Sequence, residues 1–134
     1  MSSELAATIW VGIGGGLGGV ARYSIERLMV RLAGAAAWGT LVVNVLGSFL
    51  IGYFGEPILT DASFGTAPDL RFLVAIGVFG GFTTFASFSL QAVELLRDGK
   101  IVRAMFYTLG SVALCLAATA VGIYAAGLNL ATLA

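Results

Sequence analysis

A handful of polar side chains interrupt otherwise apolar stretches, and their types limit the chemistry open to them. Arg22 follows a run of glycines, and Asn44 stands inside an apolar run. Ser87, Gln91 and Glu94 fall at i, i+4 and i+7, so on a helix they share one face. Tyr107 and Ser111, at i and i+4, share another. Most of these groups donate hydrogen bonds or both donate and accept. Only one carboxylate, Glu94, comes near the interior of an apolar stretch, and it lies close to a charged turn at 97–100. A proton-coupled cation carrier wants a carboxylate deep in such a stretch. An anion path wants N–H and O–H donors without strong fixed charge, and Asn44, Ser87, Tyr107 and Ser111 suit that. The alternative use of the same groups is helix–helix hydrogen bonding, worth about 0.6 kcal/mol each.

Catalysis is poorly served. The chain has no His, the commonest general base, and nothing in it resembles a nucleophile–base pair. A single cysteine, Cys115, excludes an intrachain disulfide and a cysteine-cluster metal site, and it sits in an apolar run. It reads as a small buried hydrophobe. Gly14-x-Gly16-x-x-Gly19 fits a dinucleotide-binding pattern, but that pattern needs a preceding strand and an acidic residue about 20 positions on. Residues 30–44 hold no Asp or Glu. The six glycines among residues 12–19 are better read as a face against which another helix packs closely. Phe85 and Phe88, at i and i+3, lie near one another on a helix. Two rings presenting their positive edges can contact an anion, although plain packing is the commoner use of such a pair.

These residues must be carried by membrane-spanning helices. Of the 134 residues 59% are hydrophobic and 10% charged, and the mean hydropathy is +1.00. A soluble domain carries about 25% charge. A span takes about 20 mostly apolar residues, and four stretches qualify: 5–27, 39–54, 69–97 and 101–128. Residues 33–38 make a small Gly- and Ala-rich turn, 56–68 a loop with both prolines, and 97–100 a tight charged turn. No repeat or second domain interrupts 1–134, which is read as one domain. The start, Met1-Ser2-Ser3-Glu4, lacks the basic segment of a signal peptide, so the first apolar stretch is expected to stay as a span. Arg27, Arg31, Arg97, Lys100 and Arg103 fall on one side of four such spans, and Arg71 on the other. The positive-inside rule then places both basic turns in the cytoplasm and both termini outside. Seven basic and seven acidic residues cancel, which gives no reason to expect a nucleic-acid partner.

The third span is longer than a straight crossing needs and contains Gly77-Val78-Phe79-Gly80-Gly81-Phe82-Thr83-Thr84-Phe85-Ala86-Ser87-Phe88-Ser89. Paired glycines and paired β-branched threonines weaken a helix locally. One reading is a helix that unwinds in mid-membrane, where freed carbonyls can hold a small hard cation such as Na⁺. The other is an intact, closely packed helix.

Three motifs together resemble one family. Gly15-Gly16-Leu17-Gly18-Gly19-Val20-Ala21-Arg22-Tyr23 is similar to the glycine-rich Arg-Tyr signature in the first helix of Fluc/CrcB fluoride channels. Gly39-Thr40-Leu41-Val42-Val43-Asn44-Val45-Leu46-Gly47 resembles the family's second-helix pattern, and Gly80-Gly81-Phe82-Thr83-Thr84-Phe85-Ala86-Ser87-Phe88-Ser89 its most specific signature. Ala86 and Ser87 depart from the Ser-Thr usual there; Ser87 keeps a hydroxyl and Ala86 loses one.

The resemblance implies an all-α integral membrane protein with four transmembrane helices, the third broken in mid-membrane. It implies an antiparallel, dual-topology dimer with two fluoride pores, in a bacterial plasma (inner) membrane. By that resemblance Asn44 gives the pore a donor, Phe85 and Phe88 form an aromatic box, and Ser87, Tyr107 and Ser111 continue a polar track. Arg22 stands near a vestibule, and the carbonyls of Gly80 and Thr83 hold a structural Na⁺. The expected partners are fluoride, membrane lipid and a second copy of the chain. Five cations against one is a large bias for a chain inserted both ways, so a homologous second subunit is the alternative to a homodimer. A small multidrug-resistance-type exporter also has four helices, but it needs a carboxylate deep in the first. Glu4 is terminal there and Glu26 lies at the end.

Overall fold

The computed structural model describes residues 3–60 and 71–127. Helix α1 spans Ser3–Ala33 and α2 spans Ala36–Thr60. The third crossing is built from three pieces. A π-wound segment, Phe72–Val78, runs directly into a single α-turn, Phe79–Phe82, and the two are labelled α3 here; α4 spans Phe85–Arg97. Helix α5 covers Ile101–Ala125. Among the described residues, four stretches are long and apolar enough to cross a membrane: Glu4–Ala33, Ala36–Gly55, Phe72–Arg97 and Ile101–Ala125.

The helices end where glycine permits. Gly34 (φ 73°) donates its N–H to the Val30 carbonyl at 3.0 Å and closes α1. Gly99 (φ 72°) closes α4, with Gly99 N–H on Leu96 and Lys100 N–H on Leu95. That pair of bonds satisfies carbonyls which a helix end otherwise leaves open. The first turn is tighter than the residue pattern suggests. Leu28, Met29, Val30 and Leu32 keep α1 going past Arg27, and only Gly34 and Ala35 separate it from α2. At the other end of α2, backbone helix continues to Thr60 through Pro57, inside the segment expected as a loop. Proline there removes one helical hydrogen bond close to the helix end, where few remain to be lost. The rest of that expected loop, 61–68, lies outside the described residues.

Glycine sets how closely the helices approach. Gly14 and Gly18 on α1 face Gly77 and Gly81 across the α1–α3 contact. A Cβ at Gly14 would overlap the Leu73 carbonyl and the Gly77 Cα; one at Gly18 would overlap the Val78 carbonyl and the Phe82 nitrogen. These contacts are backbone on backbone, with no flexible side chain to yield. Half of the glycine cluster serves this purpose. Gly12, Gly16 and Gly19 face open space in the single chain. A second close approach joins α2 and α5, where Gly52 meets Thr119 and Gly122 meets Phe49 and Tyr53. The contacts run in sequence order, so α1 lies parallel to α3, and α2 lies parallel to α5. Together with the short turns, this brings Arg27, Arg31, Arg97, Lys100 and Arg103 to one end of the bundle.

Among the described residues few side chains are buried: Val43 and Thr40 are fully enclosed, and Phe79, Phe82, Phe88, Ala104 and Ser111 nearly so. Large apolar groups such as Leu17, Val20, Phe106 and Leu116 point outward, as lipid-facing residues do. Without a strong hydrophobic drive between helices in lipid, association rests on close packing and interhelical hydrogen bonds. Gly18→Ala therefore lowers the thermal unfolding midpoint of the detergent-solubilised protein, since overpacking typically costs about 1–3 kcal/mol. An unchanged midpoint would mean that α1 and α3 are not held at the distance seen here.

Candidate functional site

The site is organised around two residues that belong to no helix. Thr83 (φ −78°, ψ 157°) and Thr84 (φ −152°, ψ 116°) have extended backbone between α3 and α4. Extended residues forfeit helical hydrogen bonds, and in an apolar bundle the orphaned groups must find other partners. Thr83 closes α3: its N–H keeps the helical bond to the Phe79 carbonyl, and its hydroxyl donates to the same carbonyl, both at 3.1 Å. The groups that lose their helical partners are served from elsewhere. Asn44, from the middle of α2, treats Thr84 as a neighbouring strand would. Its Oδ1 accepts the Thr84 N–H at 2.8 Å, and its Nδ2 donates to the Thr84 carbonyl at 3.0 Å. The Thr84 hydroxyl then caps α4 by accepting the Ser87 N–H at 3.2 Å, and it lies 3.3 Å from the Ser87 hydroxyl. From the other side Arg22 on α1 donates its Nε–H to the Gly81 carbonyl at 3.2 Å. A cation there meets the negative end of the short α3 helix.

Beside these residues lies a cleft of about 520 Å³. Its wall includes Asn44, Ser48, Gly80, Thr83, Thr84, Phe85, Phe88, Ser111 and Cys115. The rings of Phe85 and Phe88 are 5.4 Å apart between centroids and tilted by 48°. Phe88 is buried, whereas Phe85 is 77% exposed in the single chain. The ring of Tyr107 lies 5.5 Å from that of Phe88. Ser111 is buried, and its hydroxyl oxygen has no hydrogen-bond partner among the described residues. A buried hydroxyl in a cleft wall without a protein partner is fit to meet a ligand or water.

A second polar assembly crosses all four spans. The Tyr107 hydroxyl donates to Gln91 Oε1 at 2.7 Å, Gln91 Nε2 donates to Thr40 Oγ1 at 2.8 Å, and Thr40 lies 3.4 Å from Glu26 Oε1. The chain of donors thus runs from α5 through α4 and α2 to a carboxylate on α1. Thr40 is fully buried, so without Gln91 its hydroxyl would be poorly satisfied.

The sequence-derived residues fall into three places. Asn44, Phe85, Phe88, Ser111, Gly80 and Thr83 line the cleft together. Tyr107 abuts the cleft through Phe88 but spends its hydroxyl on Gln91. Ser87 and Arg22 support the Thr83–Thr84 segment, Ser87 at the first turn of α4 and Arg22 at the Gly81 carbonyl. Ala86 is exposed, so its missing hydroxyl removes no bond inside the chain. Gln91 was visible as part of a polar helix face. Its partners Thr40 and Glu26 were not, because 51 and 65 positions separate them from it along the chain. Ser48 and Cys115 also join the wall unannounced, Cys115 one turn beyond Ser111.

The description "CrcB-like protein, Camphor Resistance (CrcB)" belongs to the family whose pattern matches residues 9–123. The chain belongs to the CrcB family. Its relatives include proteins from Methylobacterium radiotolerans, Opitutus terrae and Rhizobium meliloti, each named fluoride-specific ion channel FluC. The first is 46% identical over 114 residues, covering 85% of this chain and 80% of its own. The second is 46% identical over 123 residues, covering 90% and 93%, and the third 45% over 114, covering 84% and 90%. With four spans and this membership, this CrcB-family chain is a multi-pass membrane protein.

The Tyr107–Gln91 bond is testable as a coupling. Tyr107→Phe lowers stability by about 0.6–1.7 kcal/mol in a reversible membrane-protein unfolding assay, the range for interhelical hydrogen bonds. In a Gln91→Met background the same change has no further effect. Additive losses would mean that the two side chains do not share a bond.

Proposed function

We propose that the chain is a fluoride-selective passive channel. It lets cytoplasmic fluoride leave across the bacterial inner membrane and so lowers fluoride toxicity. The observation that carries this reading is the composition of the cleft wall: neutral donors and the rings of Phe85 and Phe88 meet there, with no lysine, arginine or carboxylate among the described lining residues. The unpartnered Ser111 hydroxyl and one of the two Asn44 N–H groups are donors available to an anion. Fluoride is small and strongly hydrated. A path for it must replace water with closely spaced donors, yet bind weakly enough to let the ion go. A lysine would trap the ion; an amide, a hydroxyl and the positive edges of Phe85 and Phe88 would not. The names of the relatives favour the same ion, and they name conduction rather than catalysis.

Passive flow is sufficient for protection. In acid surroundings fluoride enters as HF, ionises in the neutral cytoplasm and is trapped there; a channel lets it out down its gradient.

The reading extends to the assembly. Phe85 is an aromatic cleft residue left largely bare in the single chain, and a second, antiparallel copy would complete the wall and give two pores per dimer. Thr83 and Thr84 would then interrupt the third crossing in mid-membrane. The site suits a structural Na⁺ in its donor type. The Thr84 N–H, which would bond the Gly80 carbonyl in a continuous helix, bonds Asn44 instead, and the Thr83 carbonyl sits on extended backbone. Hard oxygen donors of this kind suit Na⁺. Two carbonyls are too few to enclose it, so a second copy would supply the others, and the ion would tie the two interrupted helices together. The five-to-one partition of basic residues favours one fixed orientation, for which a homologous second subunit would be the partner; a homodimer remains the simpler assembly.

Passive fluoride efflux from liposomes holding the purified protein, with valinomycin to balance charge, tests the proposal. Fluoride leaves quickly and chloride does not. Phe85→Ile abolishes the flux while the protein stays folded. Wild-type flux in that variant would remove Phe85 from the path, and no efflux from folded wild-type protein, alone or with a homologous subunit, would overturn the channel.

A further inference from the structure

We propose that Cys115 is a covalent modification site in the wall of the cleft, through which soft, thiol-seeking species close the conduction path. The inference rests on the cleft being that path. It stands on two independent observations. The first is position: Cys115 lines the cleft one helical turn beyond Ser111, on the same face of α5, and it is half-buried rather than sealed in the bundle. Among the described residues nothing hydrogen-bonds its Sγ. The neighbouring Thr119 hydroxyl is already committed to the carbonyls of Cys115 and Ser48, both at 3.1 Å. The second is the Ser111 hydroxyl, 6% exposed as a residue and without a partner among the described residues, in the same wall. A buried polar group in that state marks a stretch of cleft that takes a polar ligand or water. A thiol one turn away borders the same space.

The chemistry needs no cofactor. With a methanethiosulfonate reagent the Cys115 sulfur attacks the sulfenyl sulfur, an S–S bond forms, methanesulfinate leaves and the thiol proton passes to water. With mercuric ion an S–Hg bond forms and the proton is again released. Either product places bulk, and with a cationic reagent a fixed positive charge, in a path that must bind anions only weakly. The chain has a single cysteine, so labelling reports on one position alone.

The test uses full-length protein in liposomes and a trimethylammonium-ethyl methanethiosulfonate probe, with intact mass and fluoride efflux followed in parallel. Wild-type protein gains one adduct and its efflux falls by roughly tenfold or more, since an ion held or blocked in the pore stops conduction. A thiol reductant restores both. In Cys115→Ser and Cys115→Ala the probe adds no mass and leaves the efflux at the rate that variant had before its addition. Full labelling with unchanged efflux would overturn the proposal, as would folded, conducting protein whose Cys115 stays unlabelled. If fluoride does not move before the probe is added, the channel reading fails on that result. The mass then decides separately whether the thiol borders an open cleft.

Discussion

Backbone groups at Thr83 and Thr84 cannot be left unbonded inside an apolar bundle, and much of the molecule answers that requirement. An unpaired N–H or C=O in hydrocarbon costs several kcal/mol. Two consecutive extended residues therefore persist only if side chains stand in for the missing helix. Asn44 does so with both ends of its amide, Arg22 holds the last part of α3, and the Thr84 hydroxyl starts α4. Arg22 comes from α1 and Asn44 from α2, so the interruption fixes how α1, α2 and the third crossing sit together. In return it leaves the Gly80 and Thr83 carbonyls at the edge of a cleft, where a continuous helix would have bonded them to the Thr84 and Ser87 N–H groups.

The glycine contacts make those supports reachable. Arg22 meets Gly81 because α1 and α3 approach backbone to backbone at Gly14, Gly18, Gly77 and Gly81. The π winding of Phe72–Val78 belongs to the same contact and shifts the faces of the residues that follow. At the basic end of the bundle, the Tyr107–Gln91–Thr40–Glu26 chain performs a related task. It ties all four crossings at one level and holds the Tyr107 ring against Phe88. Packing close enough for backbone contact and hydrogen bonding through buried polar groups are thus two halves of one design, since lipid supplies little drive of its own.

The four crossings were legible because membrane length and apolarity are local properties. Their ends were less so. The expected turn at 33–38 brackets the observed Gly34 and Ala35, but α1 runs past the expected end at Arg27, because apolar residues continue the helix until Gly34 allows a positive φ. The α5 end at Ala125 likewise follows from Gly127 (φ 77°) rather than from any fall in hydropathy. Asn44, Phe85, Phe88 and Ser111 could be singled out as polar or aromatic groups at membrane depth, and they meet at one cleft. What could not be read was who bonds whom. The Arg22–Gly81, Asn44–Thr84 and Gln91–Thr40 pairs join residues 40 to 59 positions apart. No periodicity encodes them, and the π segment carries no residue signature either.

The central claim is that the Asn44 amide replaces a helical partner for Thr84. Residue-resolved hydrogen–deuterium exchange of the Thr84 amide, in wild type and Asn44→Ala, tests it directly. The account predicts protection in the wild type and exchange roughly tenfold or more faster in the variant, as befits one lost buried hydrogen bond, with α5 amides unchanged. Equal exchange of Thr84 in the two proteins would contradict it.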